Sequence, residues 1–322
     1  MMPVLEIERL SIDLPGRDVK RPVLAEVSLR VAPGEIVALV GESGSGKSVT
    51  SRAVLGMYPP RARVTGRIRV DGIEVIGASR SSLRRLRREV AAMVFQDPRA
   101  SINPLSTIGT FLTETLRAAG VDARQARQRA LTLLEAVGIR DPRAAMDRFP
   151  HQFSGGMLQR VVIAAAMSTG PRLLLADEPT TMLDVTTQAE VLVLLRKLQQ
   201  THGTGMLFVT HDLELAAAIS TRMYVMYAGR IVESASTEQM FADPWHPYSR
   251  ALMNATPRLD PDAPPTRPIA GRPPSLADAL PGCAFAPRCT ARQERCTAAQ
   301  PPLQTIGDRR VACVVATEGK RA

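Results

Sequence analysis

Gly41-Glu42-Ser43-Gly44-Ser45-Gly46-Lys47-Ser48 is the stretch on which the reading of the whole chain turns. Ahead of it, Glu35-Ile36-Val37-Ala38-Leu39-Val40 reads as a short buried strand, and Val49–Leu55 behind it reads as a helix. Strand, glycine-rich loop and helix are the setting that a G-x-x-x-x-G-K-S pattern requires. Glycines let the backbone curl until successive N–H groups face one concavity, and the following helix adds its positive end. Gly41, Glu42, Ser43, Gly44, Ser45 and Gly46 are therefore expected to wrap a phosphate chain. Lys47 is expected to reach the outer phosphates, and the Ser48 hydroxyl to ligate Mg²⁺.

The 322 residues leave room for one large domain and a smaller one. Aromatic residues make up only 4% of the chain, so the expected core is aliphatic. No apolar run approaches the roughly 18 residues of a membrane span. Glu6, Glu8 and Arg9 interrupt any leader-like segment at the start. The expectation is a cytosolic protein that meets a membrane only through partners. The net charge of +10 is uneven, with nine arginines in residues 61–90 against Asp71, Glu74 and Glu89. Arg80, Arg84, Arg85, Arg87 and Arg88 crowd one short helical piece. A solvated face is the ordinary reading, and a nucleic-acid or lipid-headgroup patch the sharper one. No aromatic residue interleaves these arginines, as single-strand binders require.

Strand-like alternation covers Leu5, Ile7 and Leu10, then Val27, Leu29 and Val31. Arg67–Val70 and Val90–Phe95 read as further strands. Helical spacing runs from Thr110 to Val137, divided at Gly120-Val121-Asp122, with Asp122 as an N-cap. Later come a helix over 154–168, a strand Leu173–Ala176, a helix Thr186–Gln200, a strand Met206–Val209, a helix Leu213–Ser220 and a strand Met223–Met226. This alternation predicts a parallel sheet covered on both faces. Proline then becomes frequent, which places a linker near 255–275 and a small module after it.

Leu173-Leu174-Leu175-Ala176 ends in Asp177 and Glu178, two carboxylates at the carboxyl edge of a buried strand. Asp177 is expected to orient the Mg²⁺ shell, and Glu178 to act as general base on the attacking water. His211 follows another strand and can hold the γ-phosphate, water and base in line. Gln96 ends a third strand, where its amide can sense both the metal and a neighbouring domain.

With these residues in place, Phe153-Ser154-Gly155-Gly156-Met157 resembles the signature sequence of ATP-binding-cassette ATPases. Lys47, Gln96, Asp177-Glu178, Leu183-Asp184 and His211 match that family's Walker A, Q-loop, Walker B, D-loop and H-loop in order. The resemblance implies a P-loop NTPase fold: a RecA-like core sheet, an antiparallel β subdomain and a helical subdomain over about 97–168, together filling residues 1–255. It also implies a head-to-tail dimer with a homologous ATPase, in which Ser154, Gly155, Gly156 and Met157 meet the partner's ATP. The helix-opening N–H groups at 154–156 suit such a task.

Phe95-Gln96-Asp97-Pro98, Ser101-Ile102-Asn103-Pro104 and Asp243-Pro244-Trp245-His246-Pro247-Tyr248 resemble the ATP-binding subunits of oligopeptide/dipeptide importers. So does Gly271-Arg272-Pro273-Pro274, followed by a cysteine-bearing tail. That resemblance implies two transmembrane permease subunits, an external peptide-binding protein and a peripheral place on the cytoplasmic face of the membrane. The chain departs from the family in three ways: residues 11–30 hold no aromatic platform for adenine, Met182 stands in the D-loop, and Leu158 follows the signature. Adenine would then rest on aliphatic or arginine surface.

Cys283, Cys289, Cys296 and Cys313 fall in the tail, residues 256–322. Disulfides are disfavoured in the cytosol, and four thiolates suit a [4Fe–4S] cluster or a Cys₄ zinc site. The resemblance favours iron–sulfur, with a stapling role; unliganded thiols stay open. The reading is an ATPase that drives peptide import. Its rivals are a nucleic-acid-handling member of the superfamily, an importer subunit for a substrate such as nickel, and a sensor gated by the cysteines; no nucleic-acid partner is expected.

Overall fold

The computed structural model describes residues 2–15, 21–256, 268–274, 278 and 281–318. The expected linker near 255–275 lies largely outside the described residues. Two compact units interleave along the chain: Met1–Leu5, Val31–Glu35 and Val70–Leu207 in one, and Glu6–Arg30, Ile36–Arg69 and Phe208–Ala322 in the other.

In the first unit, strands Ala91–Val94 and Leu173–Asp177 pair in parallel, with Ala91 opposite Leu173 and Val94 opposite Ala176. Every residue of Leu173–Asp177 is buried, as a parallel strand covered on both faces requires. Five helices follow from local signals. Thr107 caps Ile108–Ala118, Asp122 caps Ala123–Ala136, and Asp141 caps Pro142–Met146. Ser154 caps Gly155–Met167 and Asp184 caps Val185–His202. In each, a side-chain oxygen accepts an otherwise unpaired first-turn N–H. The helix Ile108–Ala118 buries Ile108, Leu112 and Leu116 beside Ala126, Ala130 and Leu134 of its neighbour. The arginine run forms Arg80–Arg85, α-helical, then a π-helical turn Leu86–Val90. Arg80, Arg84, Arg85, Arg87 and Arg88 are all exposed.

In the second unit, strand Ile36–Val40 runs parallel to Arg222–Tyr227, with Val37 opposite Arg222 and Val40 opposite Val225. Arg222–Tyr227 pairs antiparallel with Arg230–Ser236, across a register shift between Ile231 and Glu233. A hairpin of the tail, Gln304–Ile306 with Arg309–Val311, joins that sheet by pairing Glu233 with Val311 and Ser234 with Arg310. The strands Arg21–Val31, Leu5–Leu14 and Arg63–Val70 lie side by side in that order.

The expected purely aliphatic core is corrected here. Tyr227, Tyr248 and Phe285 pack into one cluster with Val40, Val225, Met240 and Leu252. Their ring centroids stand 4.4 Å (Tyr227–Tyr248) and 5.3 Å (each to Phe285) apart. Aromatic residues are few, but three of them are gathered in one place, where edge-on and tilted contacts add to area burial.

Candidate nucleotide site

The phosphate loop is set by what its glycines leave out. Gly41 has a φ of 152°, and a Cβ there would come within 2.2 Å of the Met226 carbonyl oxygen. Gly46 takes the left-handed conformation at the N-cap of helix Lys47–Val54 and makes no side-chain cap. The helix therefore begins with backbone N–H groups turned into the loop. The Lys47 ammonium lies within that loop, donating to the carbonyls of Gly41 at 2.8 Å and Glu42 at 3.1 Å. The loop is fastened from behind, where Gly229 N–H donates to Ser45 O at 2.8 Å.

Glu42 is held at both ends. Its N–H donates to the Tyr248 hydroxyl at 2.9 Å. Its carboxylate accepts two N–H bonds from Arg288, at 2.7 and 3.0 Å. Arg288 is almost fully buried, and Glu42 one-quarter exposed. The Glu42 carboxylate raises the Arg288 guanidinium pKa against the opposing effect of burial. No local signal marks Arg288 or Tyr248 as loop supports, since each is more than 200 residues from Glu42.

In the first unit, Asp177 closes its strand and is 1% exposed. Glu178 has a left-handed backbone, φ 49°, an uncommon state for glutamate and one that collects at functional sites. Its carboxylate accepts from Gln96 Nε2 at 3.2 Å and from Thr181 Oγ1 at 3.0 Å. The structure thus brings Gln96 to Glu178. Ser154 Oγ accepts from Met157 N–H at 3.3 Å, opening the 13-residue helix Gly155–Met167. Asp184 Oδ2 accepts from the Thr187 hydroxyl at 2.7 Å and Oδ1 from its N–H at 3.0 Å. Those bonds hold the Asp184 carboxyl below its ordinary pKa. His211, in the second unit, is exposed just past strand Gly205–Thr210.

The four cysteines line a single small cavity with His246, Pro247 and Pro301. Burial is the largest influence on Cys283, Cys289 and Cys313, and it pushes their thiols up, Cys283 to about 11. The expected [4Fe–4S] cluster finds no support: among the described residues, no group of three or more Cys, His, Asp or Glu side chains is arranged to hold a metal ion. Among them too, no helix is long and apolar enough to cross a membrane.

A glycine-rich loop between a buried strand and a helix defines a P-loop nucleotide-binding protein. A family model described as ABC transporter matches residues 24–181, and one described as the C-terminal region of oligopeptide/dipeptide transporters matches residues 232–296. The oligopeptide transport ATP-binding protein OppD of Mycobacterium bovis is 44% identical over 98% of this chain. The chain covers 52% of that protein, about half its length. A peptide import ATP-binding protein of Brucella abortus is 44% identical, with 95% of each chain covered. The dimeric, post-hydrolysis structure of the ATP-binding cassette MJ0796 with ADP and phosphate matches with a TM-score of 0.65. It is 27% identical, over 72% of this chain and 98% of that one. The chain belongs to the family of ATP-binding proteins of oligopeptide/dipeptide ABC transporters, and its fold is that of an ABC ATPase cassette.

Proposed function

We propose that this chain binds ATP with Mg²⁺ and hydrolyses it to drive the import of oligopeptides or dipeptides. The observation that carries this is the phosphate loop, with Lys47 and the helix N-terminus drawn into one concavity. In this reading Gly41 through Gly46 wrap the phosphates, Lys47 neutralises them, and Ser48 and Asp177 hold the metal with the help of Gln96. Glu178 takes the proton of the attacking water, and His211 orients the γ-phosphate. Mg²⁺ supplies charge neutralisation when bound; the rest is positioning by these side chains.

The partners are a homologous ATPase, two permease subunits on the cytoplasmic face of the membrane and, through them, an external binding protein. Support for the ATPase partner lies beside Asp184. Met182 and Val185 are 65% and 82% exposed, which is apolar surface suited to cover by a second cassette. Ser154, Gly155, Gly156 and Met157 then serve the partner's nucleotide. The test is Mg²⁺-dependent phosphate release, together with co-purification of two membrane proteins and a second ATPase. Purified chain that neither binds nor cleaves ATP overturns the proposal.

The cysteine cavity supports a narrower proposal. A tetrahedral zinc site needs four sulfurs about 2.3 Å from one point, which the single-ion arrangement fails to provide. A [4Fe–4S] cube takes one thiolate at each of four corners, and what favours that reading is that all four thiols border one cavity. Iron and acid-labile sulfide analysis of anaerobically purified chain tests it; four free thiols and no iron overturn it.

A further inference from the structure

The sequence lacks an aromatic platform for a base, and the structure shows what stands beside the phosphate loop in its place. A cavity of about 210 Å³ opens there, lined by Glu42–Ser45 of the loop, Pro22 and Val23, Tyr227–Gly229, and Pro273 and Pro274. Water would fill it with about seven molecules at ~30 Å³ each, the scale of a flat bicyclic ring and not of a whole nucleotide. Its floor is continuous with the loop that faces phosphate, so whatever it holds is joined to what the loop holds. Its other walls are Tyr227–Gly229, three prolines and a valine, and the prolines and the valine offer flat apolar surface with no side-chain hydrogen bond. Ser45 also lines it, with a buried Oγ that has no hydrogen-bond partner among the described residues.

Pro273 and Pro274 come from the extension, and one side chain fixes the strap that carries them. Arg288 donates to the carbonyl oxygens of Ala270 at 2.8 Å and Ile269 at 3.2 Å. The same guanidinium holds the Glu42 carboxylate and donates to the Tyr227 hydroxyl at 3.2 Å. A Cβ on Gly271 would lie 3.5 Å from Arg288 Cγ, so the strap runs in contact with the side chain that pins it. One buried cation thus ties loop, core and strap together.

We infer that the strap Ile269–Pro274, pinned to Glu42 by Arg288, forms one wall of the subsite for the nucleotide's base. The prolines contact the ring, and Arg288 is a positioning residue that acts through them. The inference rests on the proposed ATP binding and adds that the extension takes part in it within the same chain. Because the prolines are apolar, they grip a ring by its faces and contribute nothing to binding of a bare phosphate chain.

Calorimetric titration of the full chain with Mg·ATP and with Mg·tripolyphosphate separates the two. In the variant carrying Pro273→Gly and Pro274→Gly, ATP affinity is expected to fall about tenfold while tripolyphosphate affinity holds within about twofold. Arg288→Lys keeps the charge but cannot bridge carboxylate and carbonyls together, and, because it also loosens Glu42 of the phosphate loop, a loss larger for ATP than for tripolyphosphate is expected. The proline pair, exposed at Pro273 and half-buried at Pro274, keeps the test open if the arginine variant fails to fold. Variants that bind ATP like the parent chain overturn the inference, as does equal weakening of both ligands. A parent chain that binds neither ligand overturns the ATP reading itself, a result distinct from the other two.

Discussion

Gln96 donates its side-chain N–H to the same Glu178 oxygen that accepts the Thr181 hydroxyl, at 3.2 and 3.0 Å. A carboxylate held by two neutral donors keeps its lone pairs directed. That is the preparation a general base needs, because a positioned acceptor contributes about 10²–10⁴-fold to a proton transfer. Glu178→Gln preserves shape and removes the basic oxygen. Phosphate release is expected to fall at least about 100-fold, with ATP binding retained and a nucleotide-loaded dimer accumulating on size exclusion. A variant that turned over at the parent rate would take Glu178 out of the reaction.

Gly156 and Thr187 set the shape of the signature helix. A Cβ on Gly156 would lie 2.4 Å from Thr187 Cγ2, and the Thr187 side chain cannot swing away without giving up its hydroxyl bond to Asp184. Helix propensity alone favours alanine by up to about 1 kcal/mol, whereas overpacking costs about 1–3 kcal/mol. The clash is expected to win. Gly156→Ala should therefore lower the denaturation midpoint, and adding Thr187→Ser, which deletes the offending methyl and keeps the hydroxyl, should restore it. A rescue that fails would place the role of Gly156 elsewhere than in this contact.

Glu233 is fully buried and accepts three bonds, from Trp245 N–H at 2.9 Å, His246 N–H at 2.8 Å and Arg309 Nη2 at 2.8 Å. Arg309 also covers the Trp245 ring, 3.9 Å from its centroid. Strand, turn and tail hairpin meet on this one carboxylate. Arg309→Met leaves a buried charge without its cation, and a loss of about 3–5 kcal/mol is expected by urea unfolding. Adding Glu233→Gln removes the stranded charge and should recover part of that loss. Additive behaviour in the double-mutant cycle would mean that the two residues do not depend on each other.

How far the chain could be read in advance follows from the range of each signal. The phosphate loop, the buried strand ending at Asp177 and the cap Asp122 are written in fewer than ten consecutive residues, and all of them form. Glu42 and Arg288 are 246 residues apart, and nothing local in either stretch marks them as partners. Glu233 lies in strand Arg230–Ser236, which the sequence reading did not include, and a register shift between Ile231 and Glu233 disrupts the regular alternation that would mark a face. The hairpin strands Gln304–Ile306 and Arg309–Val311 are three residues each, too short for a pattern to register. The aromatic cluster escaped because composition counts residues and says nothing of where they gather.

Glu6 supplies a prediction in pH. Its carboxyl is almost buried and pairs with Arg69, and with Arg30 Nε at 3.0 Å. The hydrogen bond from Arg69 is the largest influence and, with the charges of Arg30, Arg69 and Arg67, holds the pKa below its ordinary 4.5 despite burial. Above 4.5 the carboxyl is ionised in both the folded and the unfolded chain, and the pairing contributes in full. As pH falls below 4.5 the unfolded chain takes up the proton first, so this contribution shrinks until the folded carboxyl is protonated too. Glu6→Gln has no such proton to bind. The stability gap between parent and variant, read from urea midpoints, is expected to be widest near about pH 7 and to narrow toward about pH 3.5. Arg30 is 65% exposed, so salt should shrink the gap at neutral pH through that arm, while the better-buried Arg69 arm resists it. A gap that stayed constant with pH would show that the Glu6 charge contributes nothing to folding, leaving only the shape of the side chain to matter.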